Sequence, residues 1–88
     1  MIDVIEVRAM DGHRLWICFS DGSEGVRDLS AMLAKGGPMV EPLKSPAFFA
    51  RVFVESGVPT WPNGFDLDAI ALYMELRNSG ALTRHAAE

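Results

Sequence analysis

Two runs near the start of the chain alternate in the manner of half-buried strands. IDVIEVRA (2–9) and HRLWICFS (13–20) are rich in β-branched and aromatic residues, and Asp11-Gly12 separates them. A second Asp-Gly pair, Asp21-Gly22, precedes SEGVRDL (23–29), so this region predicts a three-stranded antiparallel meander. A three-residue loop, Met10-Asp11-Gly12 with Gly12 left-handed, pairs Val7 with Leu15 and Ile5 with Ile17. That register gathers Ile5, Val7, Leu15, Ile17 and Phe19 on one face. A two-residue loop would instead set Val7 opposite Trp16. Because a one-residue slip turns every side chain over, burial selects the first register. A two-residue turn at Asp21-Gly22 then brings Val26 beside Ile17 on the buried face, while Trp16 and Cys18 point the other way with Arg8 and Arg14.

The pattern then shifts. DLSAMLAKGG reads as a short helix with Asp28 or Ser30 as its cap and Gly36 as its stop. PMVEPLK reads as an extended connector because Pro38 and Pro42 oppose helix. In SPAFFARV, Ser45 as N-cap and Pro46 as first helical residue predict a turn that buries Phe48 or Phe49. VFVESGVPTW predicts a small hairpin about Ser56-Gly57, with Pro59 confining its second arm to an edge. The last helix lies in DAIALYMELRNSG. Asp68 caps it, Leu67 and Leu72 form a hydrophobic staple, and Ala69, Leu72, Tyr73 and Leu76 make its core stripe. Residues 1–80 are thus expected to form one small α+β domain: an antiparallel meander, a short second hairpin, short helices and a C-terminal helix. ALTRHAAE (81–88) lacks a packing pattern and is expected to be a flexible tail.

TWPNGFDLD (60–68) holds the densest cluster of polar and turn-forming residues. Each has a structural task. Trp61 covers the edge of the core, Pro62 stiffens the exit from the strand, and Asn63-Gly64 supplies a reversal. Asp66 is expected to bond nearby backbone N–H groups, and Asp68 to cap the helix. The alternative, a cation held by Asn63, Asp66 and Asp68, lacks the oxygen count and the late bidentate Glu of a calcium loop. Architecture is the preferred reading.

Composition narrows the chemistry. Hydrophobic residues are 49% and charged residues 23% of the 88, an ordinary globular balance. A net charge of −4 opposes autonomous nucleic-acid binding, which needs a basic field. One cysteine, Cys18, leaves no internal disulfide and no Cys-rich metal site. No run approaches a membrane span and no basic-then-apolar leader opens the chain, so a cytoplasmic protein without membrane contact is expected. A Cys18 nucleophile would need His13 or His85 beside it, and Cys18 falls in mid-strand. His13 with Asp11 offers only two metal ligands. No Gly-rich phosphate loop precedes a helix. Neither a catalytic residue nor a cofactor is assigned.

The Val-rich first strand, LWICFSDGSEGVRDL (15–29), SPAFFARVFV (45–54) and WPNGFDLDAIALY (61–73) together resemble the bacterial domain of unknown function 2442 family. The resemblance spans nearly all of the chain except the last dozen residues or so. It implies a small α+β domain and no established catalytic residues. It also implies a small bacterial protein often encoded beside another small domain of unknown function, an arrangement reminiscent of toxin–antitoxin pairs. Where relatives often open the last helix with proline and an acidic residue, this chain has Ala69 and Ile70.

The expected function is therefore a non-enzymatic interaction module that binds a small protein partner or itself, antitoxin-like or accessory in a two-gene pair. The alternative is a transcriptional or nucleic-acid-associated regulator acting with a partner, and a small enzyme comes last. Two surfaces are candidates for the interface. One is Trp16 with Arg14, read either as a second small core layer or as an exposed aromatic–arginine patch of hot-spot composition. The other is Ile70 with Met74, read first as a widening of the buried face and otherwise as a sticky exposed stripe.

Overall fold

The computed structural model describes residues 1–84. Strands β1 (Val4–Met10), β2 (Arg14–Phe19) and β3 (Ser23–Asp28) form the antiparallel meander. Helix α1 (Ser30–Lys35), a single 3-10 turn (Glu41–Lys44) and helix α2 (Pro46–Phe49) follow. Strands β4 (Phe53–Glu55) and β5 (Val58–Thr60) make a separate hairpin, and helix α3 (Ala69–Asn78) leads to β6 (Thr83–Arg84). The main sheet has the order β1-β2-β3-β6. The architecture is α+β, as the pattern predicts.

Burial alternates cleanly along β2. Leu15, Ile17 and Phe19 are fully buried, while Arg14, Trp16 and Cys18 between them are not. The first loop is three residues long, but it is Asp11-Gly12-His13 rather than Met10-Asp11-Gly12, so Val7 pairs with Ile17 and Ala9 with Leu15. The loop moves by one because His13 leaves the strand with a positive φ of 56°, next to Gly12 at 76°. Its ring stands edge-on to Phe49 at 5.1 Å, and its Nε2 lies 3.0 Å from the Lys44 carbonyl. The apolar faces of β1 and β2 still coincide, since a two-residue shift in pairing preserves side-chain parity.

Ile5 departs from the expected face. A bulge between Val4 and Glu6 aligns Val4 with Phe19, which buries Val4 and leaves Ile5 58% exposed. The extra residue bends the strand where the Val4 N–H donates to the Gly57 carbonyl of the second hairpin. Val26 is also a correction. The second loop is Ser20-Asp21-Gly22, held by the Asp21 carboxylate accepting from the Ser23 N–H and hydroxyl. It pairs Trp16 with Val26 and Ile17 with Gly25, so Val26 lies on the outer face.

The elements on the inner face follow their local chemistry. The N-cap of α1 is Leu29 rather than Asp28 or Ser30, with Asp28 accepting from the Ser30 N–H just ahead of the helix, and Gly36 ends α1 with φ 76°. The expected extended connector contains the 3-10 turn instead. Pro42 fits there because the first turn of a helix needs no donor from it. Ser45 caps α2 and Phe49 is its buried ring. Ser56 and Gly57, both left-handed, make the β4–β5 turn. Asp68 caps α3 through the Ala71 N–H at 2.8 Å. Ala69, Leu72 and Leu76 face the core, with Tyr73 half-buried beside them.

The chain beyond α3 is not wholly a tail. Thr83 and Arg84 pair with Glu24 and Ser23 as a short edge strand, and Arg84 reaches the Asp21 carboxylate at 3.3 Å. Residues 85–88, the rest of the expected tail, lie outside the described residues.

Candidate functional site

TWPNGFDLD folds back on itself. Trp61 exchanges backbone hydrogen bonds with Gly64 and Phe65, and Leu67 N–H donates to the Pro59 carbonyl. Trp61 is fully buried, with Phe49 and Phe65 tilted against it at 5.7 and 5.9 Å, and its Nε1–H donates to the Phe49 carbonyl at 2.9 Å. Asn63 rather than Asp66 holds the reversal. Its Oδ1 accepts from the Phe65 N–H and its Nδ2 donates to the Met39 carbonyl. Asp66 is exposed and joins Thr60 through a backbone bridge, while Gly64 takes φ 90° and Pro62 is exposed beside it. Asn63 and Asp68 spend their side-chain oxygens on backbone N–H groups, the task that suits short polar side chains at turns and caps. Among the described residues, no three His, Cys, Asp or Glu side chains group so as to hold a metal ion.

The opposite face of the meander is a different environment. The core cluster and α3 occupy the inner face, and the residues of alternate parity look outward. Three cross-strand rows stand there: Glu6–Cys18–Glu24, Arg8–Trp16–Val26 and Met10–Arg14–Asp28. Trp16 is half-buried. The Arg8 guanidinium lies 5.5 Å from its ring centroid, and the indole N–H donates to Glu24 at 3.0 Å. Arg8 also meets Glu6 at 2.9 Å. A shallow notch beside the indole is lined by Glu24, Val26, Ala81 and Thr83.

Arg14 shares this face but does not stack on Trp16. Its Nε donates to the Asp11 carbonyl at the hairpin tip. Arg8 holds the position against the ring because it is the direct cross-strand neighbour. Cys18 is raised above its ordinary thiol value, first by burial and then by the carboxylates of Glu24, Glu6 and Asp21. That environment opposes thiolate formation. His13 is turned to Lys44 on another part of the molecule, and His85 lies outside the described residues.

Ile70 and Met74 are 50% and 40% exposed, so this stripe does not widen the buried face. They occupy the solvent side of α3, which packs on the inner face of the sheet, so the two candidate surfaces look in opposite directions. The Met74 sulfur accepts from Arg77 at 3.3 Å. An open groove of about 310 Å³ separates α1 from α3, floored by Leu29 and Leu72 and crossed by the Arg27–Glu75 pair.

Two features escaped the sequence reading. Val26 joins Trp16 only in the observed register. Asp21 is a hub rather than a simple turn residue: its carboxylate also accepts from the Tyr73 hydroxyl at 2.7 Å and from Arg84. No local signal links positions 21, 73 and 84, so the sequence offered no route to that cluster.

The profile of a family described as a protein of unknown function (DUF2442) matches residues 4–78. No curated protein and no solved structure matches the chain.

Proposed function

From the premise that the chain belongs to the DUF2442 family, we propose that it is a non-enzymatic, cytoplasmic bacterial interaction module whose docking surface is the outer face of the meander. The reading takes it as the antitoxin-like or accessory member of a two-gene pair, binding a small protein partner or a second copy. One observation carries it: Trp16, a large aromatic, stands half-buried on a sheet face that the core elements leave aside, with Val26 exposed next to it. Aromatic and arginine side chains on a rigid strand supply anchor area at low entropic cost, the composition of interface hot spots.

The test is co-expression of the tagged chain with the protein encoded beside it, followed by size-exclusion chromatography. The wild-type chain should elute with its partner. Trp16→Ala should elute alone while keeping a cooperative melt, because the side chain lies outside the core. Ile70→Asp on α3 should leave the complex intact. Co-elution unaffected by Trp16→Ala, or elution of the wild-type chain alone at every concentration, defeats the reading.

A further inference from the structure

TWPNGFDLD contains a chemically weak link. Asn63 and Asn78 are the asparagines of the chain, and it has no glutamine. The backbone nitrogen that follows an asparagine can attack the side-chain Cγ. That nitrogen loses its proton, the Cγ–Nδ2 bond breaks, and ammonia leaves behind a five-membered succinimide. Water then opens the ring at one of its two carbonyls. The product is aspartate or its isomer, in which the main chain runs through Cβ and Cγ. A following glycine is the most permissive case, because no Cβ shields its nitrogen. Gly64 follows Asn63, whereas Ser79 follows Asn78.

The fold holds both reacting groups still. The Gly64 N–H donates to the Trp61 carbonyl at 2.9 Å, and the Trp61 N–H donates to the Phe65 carbonyl at 2.9 Å. The Asn63 amide is held at both ends, with Nδ2 donating to the Met39 carbonyl at 2.9 Å and Oδ1 accepting from the Phe65 N–H at 3.3 Å. Attack needs Cγ to swing onto the Gly64 nitrogen, so these bonds must open first. We propose that Asn63 is a latent deamidation site, protected in the closed loop and converted when the Trp61–Phe65 reversal opens. Conversion also weakens the loop it came from. In the aspartate product a carboxylate oxygen replaces Nδ2 against the Met39 carbonyl, so a donor becomes a second acceptor. The isomer adds a methylene to the backbone inside the reversal, which the two short bonds at Trp61 cannot accommodate unaltered. Asn63 therefore keeps a one-way record of loop opening.

The experiment incubates the full chain at mildly alkaline pH, once folded and once unfolded in urea. Peptide mapping by mass spectrometry follows Asn63 and Asn78 separately through the mass gained when an amide becomes a carboxylate. In urea, Asn63 should convert faster than Asn78, as its glycine neighbour dictates. In the folded chain, conversion of Asn63 should be slower than in urea by about tenfold or more, a factor set by how rarely the loop opens. The Asn63→Asp chain, a stand-in for the aspartate product, should unfold at lower urea. It should also exchange the Gly64 and Phe65 amides faster, with the β1–β2 amides unchanged. Equal Asn63 rates in the folded and unfolded chain would overturn the proposal, as would Asn63 reacting no faster than Asn78 in urea. An Asn63→Asp chain with the wild-type urea midpoint and wild-type exchange at Gly64 and Phe65 would overturn it too.

Discussion

Trp61 and Asp21 show how differently two side chains can announce themselves. Trp61, expected from its place at a strand end to cover the edge of the core, is instead fully enclosed, with its N–H on the Phe49 carbonyl. Trp61→Phe removes that donor and part of the ring, and should cost about 1–3 kcal/mol in denaturant unfolding, through a small void and a Phe49 carbonyl left with only its long bond from the Val52 N–H. Asp21 looks like a hairpin residue and is more. Hydrogen bonds from Ser23 lower its carboxyl from 3.8 to about 2, helped by Tyr73 and Arg84 against the opposing effect of burial. A carboxyl depressed in the folded state contributes stability that is complete above its unfolded value and is lost as pH falls through the folded one. Wild-type protein should therefore lose stability between 3.8 and about 2, and Asp21→Asn, weaker at neutral pH, should converge with it over that window. Urea midpoints measured across that range check the sign. A gap that widened toward acid would contradict it.

Elements were legible where local chemistry and tertiary need agree. The end of α3 is an example. Gly80 takes φ 76°, its N–H donates to the Arg77 carbonyl, and Ala81 N–H donates to the Leu76 carbonyl at 2.8 Å, which closes a Schellman motif. Gly80→Ala should cost about 1–2 kcal/mol, because a Cβ is disfavoured in the left-handed region. The same cap aims the chain at β3. An ideal Cβ on Gly25 would lie 2.9 Å from the Ala81 carbonyl oxygen and 3.1 Å from Leu76 Cδ1. Gly25→Ala should therefore displace the segment leading to β6, visible as faster amide exchange at Thr83 and Arg84 with the β1–β2 amides unchanged. The bulge at Ile5 and the one-residue shifts of both loops were not legible. Contacts distant in sequence set them: Gly57 on Val4 and Phe49 on His13. The Asp21 clasp on Ser23 is local, but an Asp-Gly pair alone does not fix loop length.

The molecule as a whole has one committed face and one open face. A single parity of β2 carries the core, so Ile17→Lys should abolish folding while Val26→Lys, on the opposite parity, should leave the melt nearly unchanged. Circular dichroism melts of the two variants make the comparison, and equal damage from both would mean that the outer face is structural. The candidate site was half visible in the sequence. The alternation along β2 places Trp16 and Cys18 on the reverse of the apolar face with Arg8 and Arg14, as observed. It does not reveal that Val26 joins them there, or that Arg8 rather than Arg14 lies against the indole.

The alternation of apolar residues, the Ser45-Pro46 helix start, the Ser56-Gly57 turn and the Asp68 cap were determined by the sequence itself, because each depends on neighbours within a few residues. Only the tertiary structure decided which strand positions align, that β6 closes the β3 edge, and that Ile70 and Met74 stay in water. Those outcomes turn on contacts between residues far apart in the chain, where a shift of one position reverses a side chain from core to surface.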